Sequence, residues 1–469
     1  MNLFNVARPA DAAAGRRRAT DGLDAGLKSF NEEGNLDTMG WDTVFVCAMD
    51  QVNVGLRNNT GDLVTEFVYS DGDVRVEGVF GPWQLVPGGS NKRLRFQTPI
   101  VSGKLTLAGR SYDLAGVVPQ MELQLAFIDS VSTSTVQDLV FDLQVPGAGP
   151  GDATPGAVTT ITADATGKVP PGSPAWGVLH DVLPACLIAH REELAYIFAS
   201  VNLVPPGSAS WLAPHAYDYV YVQPAAGDTG YLGVLSVVTP RDTSKLPRAI
   251  DTSLLTGEHP LCFMISPDLF LSHVVMPALP SAYGHGAKPG NFVARDGEVH
   301  NNGRLSCGTF RRGLIDYHPY LTSLTIRVDG NRVVSAASGR FDITGLRKAY
   351  VNFSLGASNI CRYDTAKGKI SFATDPKPSH HYDIHIPKWE KWIGGIGGPV
   401  VLGIVYGVTT GVTTGVANSV SSSLGTDGKL SIAAVAPIAV HWQGLSTFDV
   451  QEAGLSNAFY LRGAFAAAD

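Results

Sequence analysis

The run "GIVYGVTTGVTTGV", from Gly403 to Val416, restricts the fold more than any other stretch of this chain. Glycine returns at every fourth residue (Gly403, Gly407, Gly411, Gly415), and no charged side chain occurs between Lys391 and Asp427. A bilayer core of roughly 30 Å needs about 20 apolar residues, so the run is long enough to span one. Small residues at this spacing also suit contacts between membrane helices. Against a span stand Pro399, the many glycines, four threonines before "ANSVSSS" and the near absence of Leu and Phe. The apolar residues that remain contribute only about −0.3 to −0.6 kcal/mol each to insertion. The better reading is a helix of a soluble protein over about 400–420. Each interior glycine costs it about 0.8–1.0 kcal/mol relative to alanine. Four in register therefore imply close approach of a backbone or ligand, with the ladder facing a sheet or a lipid seam. The alternative is an extended, β-prone segment with no special contact.

The rest of the composition agrees with a β-rich globular protein. The 469 residues are 44% hydrophobic and only 16% charged, with 52 Gly and 29 Pro, and exceed what one hydrophobic core usually organises. A net charge of −7 offers no footprint for nucleic acid. The five cysteines (Cys47, Cys186, Cys262, Cys307, Cys361) are odd in number and widely spaced, so they read as small buried hydrophobes rather than a disulfide or zinc framework. The first 36 residues, with Arg16–Arg18, read as a flexible arm without the apolar core of a secretory signal. The expectation is a cytoplasmic protein, or one released by another route.

Along the chain, Trp41, Phe45, Ala48, Val52 and Leu56 step by three or four, which predicts one amphipathic helix capped by Asp37 or Thr38, with Asp42 in its first turn. Strands follow, among them "VVPQMELQLAFID", where Met121, Leu123, Leu125 and Phe127 alternate with polar neighbours. Ser173–Pro174 opens a second helix that Pro184 should kink or split, and Ser266–Pro267 opens a third ending at Pro280. Strands over about 194–240 separate these two helices. A further series leads to the glycine ladder and to two or three closing strands. Helix, sheet, helix, then the same again, reads as an internal duplication.

Three phrases carry a family resemblance: "GWDTVFVCAMDQVN", "FMISPDLFLSHVVMPALP" and "VHWQGLSTFDVQEAGLSNAFYLRG". In that order, from about Asp37 to Gly463, the chain resembles the family of the clostridial forty-seven-kilodalton protein. This is the orf-X family of the tubular lipid-binding (TULIP) superfamily, encoded beside neurotoxin genes. The resemblance implies an α+β fold of two TULIP-like halves, each a long helix wrapped by a strongly curved antiparallel sheet, joined by a central sheet. The halves would be 37–200 and 251–469, with connecting strands over 201–250. It also implies lipid in the seam between helix and sheet, and assembly with sibling proteins. No Lys/Arg cluster stands near either mapped helix start, which argues against a highly anionic headgroup.

On this reading Trp41, Phe45, Val52 and Leu56 line the first seam. Phe270, Val274, Gly403, Gly407, Gly411 and Gly415 line the second. Trp389 and Trp392, beside Lys388 and Lys391, suit a peripheral membrane contact or the plug of a core. His381, Asp383 and His385 share a strand face that either holds a metal or forms a polar outer edge, the latter favoured. His180–Asp181 and His190–Glu193 read as exposed helix residues. "GLSTF" lacks the second glycine of a nucleophile elbow, and "GGIGGPVVLG" does not follow a buried strand. The expectation is a non-enzymatic protein that binds lipid or another apolar ligand, without cofactor, metal or nucleic acid. Its competitor is an interaction module of the same shape with a filled seam.

Overall fold

The strand Thr43–Ala48 has every residue buried, because it lies third of six strands in a sheet whose two faces are both covered there. In a central antiparallel sheet it pairs with Tyr231–Val237 on one side and Leu261–Ile265 on the other. Beyond these lie Ala216–Val222 at one edge, and Ala458–Phe465 then Phe448–Ser456 at the other. The computed structural model describes residues 35–205, 207–224, 229–366, 369–387, 398–424 and 439–466. Residues 35–469 fall within one unit.

Helix α1 (Met49–Asn58) starts only where that strand stops, after Ala48, which gives no side-chain cap. The single helix expected from Trp41 to Leu56 is therefore a turn, a strand and a helix in succession. Trp41, Val44 and Val46 pack on one side of the sheet, while Phe45 packs on the other with Val52 and Leu56. A strand apolar on both faces has no alternation to show, so its residues joined the helix's spacing into a false period. Asp42, expected at the helix start, is buried instead; its carboxylate accepts from the Val238 amide at 2.8 Å and pairs with Arg241 at 2.8 Å.

Two further sheets fill the first part of the molecule. One is four-stranded (Glu66–Asp71, Val74–Phe80, Ile100–Leu107, Arg110–Asp113), and the other is built around Gln120–Asp129. On the latter strand Glu122 and Gln124 are buried beside Met121 and Leu123, so the expected polar face is covered too. Arg95 at 2.8 Å from Glu122, and the Thr154 carbonyl accepting from Gln124, make that burial tolerable.

Helix α2 (Pro174–Ala189) packs against these sheets. Ser173 Oγ accepts from the Trp176 amide, as its cap position predicts. The helix runs through Pro184 without being split. Proline cannot donate to the carbonyl four residues earlier, at His180, and the buried Thr160 hydroxyl donates to that oxygen instead, at 2.8 Å.

The remainder is an antiparallel sheet whose long strands Arg332–Asp342 and Tyr350–Asp364 alternate buried and exposed residues. Its first strands meet one helical segment and its last strands meet another, so it curls around both. The earlier segment opens with α3 (Pro267–Phe270), capped by Ser266 Oγ accepting from Leu269. A π-helical turn, Leu271–Val275, follows, and then α4 (Met276–Tyr283). This helix was expected to stop at Pro280; it continues to Tyr283 and ends at Gly284 with φ +57°. Helix α5 (Gly398–Leu424) carries the glycine ladder and lies against α4 and the last strands of the curled sheet.

Candidate functional site: the helix seam

The face of α5 turned inward is a stripe of Val401, Ile404, Val405, Val408, Val412 and Val416, interleaved with Thr409 and Thr413. The stripe has helical spacing, and its two buried threonines satisfy themselves: Thr409 Oγ1 donates to the Val405 carbonyl and Thr413 Oγ1 to that of Thr409, both at 2.8 Å. Asn359, buried on the curled sheet, donates to the Thr413 carbonyl, and Ser421 Oγ accepts from the Phe372 amide at 2.7 Å. The helix is thus tied to the sheet by polar bonds at two places along an apolar contact. Over Pro399–Ser421 its length and mean hydropathy of 1.6 would suit a membrane span, yet half of its most apolar window is buried within the fold.

The glycines border this stripe rather than form it. A Cβ on Gly415 would overlap the carbonyl oxygen of Ala282 in α4, so here two helices meet backbone to backbone. At Gly407 a Cβ would come 2.7 Å from the Phe310 ring, and at Gly403 it would come 3.0 Å from the Arg312 guanidinium. Gly411 faces open space. Close approach therefore explains Gly415 and Gly407; the neighbour at Gly403 is the end of a flexible arginine side chain, and Gly411 is exposed.

The other expected seam residues are closed off as well. Trp41, Phe45, Val52, Leu56, Phe270 and Val274 are each no more than 3% exposed. Phe45 meets the rings of Phe263, Trp442 and Phe448 within 6 Å. Phe270 stacks on Phe459 at 5.2 Å, with the planes 4° apart. Trp41 lies in the separate core on the far side of the central sheet, so the structure does not bring it together with Phe45. Trp389 and Trp392 lie outside the described residues.

An open concavity does exist elsewhere, and no expected site residue lines it. It is a cleft of about 730 Å³ between Gln120–Asp129 and the edge strand Ala216–Val222. At its wall Asp218 binds Lys92 at 2.7 Å and Arg248 at 2.6 Å. The Tyr219 hydroxyl accepts from the Leu125 amide and donates to the Lys92 carbonyl. Burial pushes that phenol up from its ordinary range. These groups hold one another and make the cleft a braced junction between sheets.

His381 lies 3.6 Å from Asp383 on an exposed edge strand, and His385 stacks on Tyr350. Among the described residues no group of three His, Cys, Asp or Glu is placed to hold a metal ion. His180 and His190, both expected to be exposed, are half-buried: His180 lies against Trp176, and His190 links Glu193 to the Val68 backbone.

The family model described as OrfX-like, Protein OrfX2/OrfX3/P47, matches residues 38–458. The chain belongs to this OrfX-like family. Among curated relatives, Protein P47 of Clostridium botulinum (strain Kyoto / Type A2) is 27% identical over 75% of this chain and 84% of its own length. Protein OrfX3 of the same strain is 22% identical over 69% of this chain and 71% of its own. One strain thus carries both a P47 and an OrfX3. The solved structure of P47 from Clostridium botulinum A2 superposes with a TM-score of 0.73, at 25% identity, over 92% of this chain and 98% of that one. The α+β architecture, mostly antiparallel with few helices, is that of the family's P47 structures.

Proposed function

We propose that this chain is a non-enzymatic member of the OrfX-like family with the tubular lipid-binding shape, its seam filled by its own side chains, and that it works by docking through its outer surface to other proteins of the family. The observation that carries this reading is the burial of Phe270 and Val274 at 0% exposure between α5 and the sheets, where a lipid tail would otherwise lie. Further support comes from the cysteines: burial pushes the thiols of Cys186 and Cys262 up to about 12, so neither is a ready nucleophile near neutral pH. The coexistence of P47 and OrfX3 in one strain supplies candidate partners. Native mass spectrometry of the purified chain tests the proposal. A single ligand-free mass is expected; stoichiometric co-purified lipid would replace this reading with that of a lipid carrier.

A further inference from the structure

The hairpin Phe310–Arg312 and Ile315–Tyr317 ends in a tip that nothing among the described residues covers. Leu314, after Gly313 at φ +64°, is 93% exposed, and Ile315 beside it is exposed too. The hairpin is clamped to the start of α5. Phe310 rests on Gly407, and the Arg312 guanidinium donates to the Gly403 carbonyl at 3.2 Å. Next to it the outward face of α5 presents Leu402 and Tyr406, 44% and 58% exposed. The Tyr406 ring meets that of His380, 6.2 Å away on the edge strand Ser379–His385, which carries exposed Ile384 further along. Scattered single apolar residues are ordinary on a protein surface; several gathered at one end of a helix are not.

Cations lie at the base of this hairpin and in the loop beside it. Arg311 and Arg312 form the base of the hairpin, and exposed Arg347 and Lys348 lie in the loop after Asp342. That loop is fastened to the hairpin by Thr344 Oγ1, which donates to the Asp316 carbonyl at 3.1 Å. With Arg340, five cations stand here against Asp316, Asp342 and Asp383; Arg311 pairs with Asp316 at 3.5 Å and Arg340 with Asp342 at 3.3 Å, which leaves a net positive balance in a chain whose net charge is −7. The local sign is opposite to that of the whole molecule.

We infer that this end of the molecule docks on a lipid bilayer bearing anionic headgroups, with Leu314 and Ile315 entering the acyl boundary and Arg311, Arg312, Arg347 and Lys348 lying at headgroup level. The charge distribution selects this occupant. Exposed aliphatic side chains gain by leaving water for the acyl boundary, and a patch of net positive charge gains near a negative surface, where a neutral protein groove would meet only the first. This rests on the reading that the outer surface, not the seam, does the binding, and it adds the partner that surface meets.

Flotation of the full chain with phosphatidylcholine vesicles, with and without about 20% phosphatidylserine, tests it. Binding is expected only with the anionic vesicles. Leu314→Ser with Ile315→Ser should lower it about tenfold, as should Arg311→Gln with Arg347→Gln and Lys348→Gln. All five side chains are exposed, so an unchanged melting temperature should accompany the loss. No flotation by the unaltered chain, equal flotation by either variant, or equal binding to neutral vesicles would overturn the inference. So would a dimer abolished by the Leu314/Ile315 variant, which would make a second copy the occupant. Co-purified lipid with flotation intact would sink the filled seam alone.

Discussion

Gly415 of α5 sits against the carbonyl oxygen of Ala282 in α4 so closely that no side chain fits between the two helices. Gly411, one turn earlier, has nothing near its missing Cβ. The same substitution should therefore have opposite signs at the two positions. Gly411→Ala should stabilise by about 0.8 kcal/mol through helix propensity. At Gly415 that gain is outweighed by overpacking against backbone, which costs about 1–3 kcal/mol, for a net loss of about 1–2 kcal/mol. Chemical denaturation of the two variants measures both. Equal shifts would mean that α4 and α5 do not meet as described.

Thr160 gives α2 a hydrogen bond that Pro184 withholds. Thr160→Val keeps the volume but leaves the His180 carbonyl without its donor, a loss of about 1–2 kcal/mol. Pro184→Ala returns a backbone N–H to the helix. In the double variant much of the Thr160→Val cost should therefore disappear, and a double-mutant cycle by urea unfolding would register this as a coupling of about 1 kcal/mol.

The thiols of Cys186 and Cys262 are pushed up to about 12 by burial, from an ordinary value of 9.0. A raised folded-state value means that the neutral thiol is what the fold accommodates. Its contribution is complete below about pH 9 and is lost as pH rises toward 12. The melting temperature should stay level through neutral pH and fall between these limits. Substituting valine at Cys186 should reduce that fall if packing is kept, as read by scanning calorimetry across a pH series.

What could be read beforehand was local. Ser173 and Ser266 cap their helices where a serine before a proline says they should, because the cap bond reaches only three residues along the chain. The ladder's helix was legible by period, yet its buried stripe is the valines and threonines, and its glycines mark the flanks. Which flank met Ala282 and which met nothing depends on α4, more than a hundred residues away. The stretch from Trp41 to Leu56 misled because both faces of its strand are covered, and coverage is a property of the neighbours. The cations of the hairpin tip were invisible for a related reason: Arg311, Arg340 and Arg347 come from separate segments and become a patch only when the curled sheet closes.

The middle sheet has a consequence for how the chain comes off the ribosome. Leu261–Ile265 can pair with Thr43–Ala48 once both have emerged, but its other edge waits for Ala458–Phe465, nearly two hundred residues later. Through that interval an unpaired, wholly apolar strand lies open to any passing edge, the circumstance in which nascent chains aggregate. Slow, late closure of this kind favours cells that shelter the growing chain, and it predisposes truncated products to precipitate rather than to persist as half-molecules.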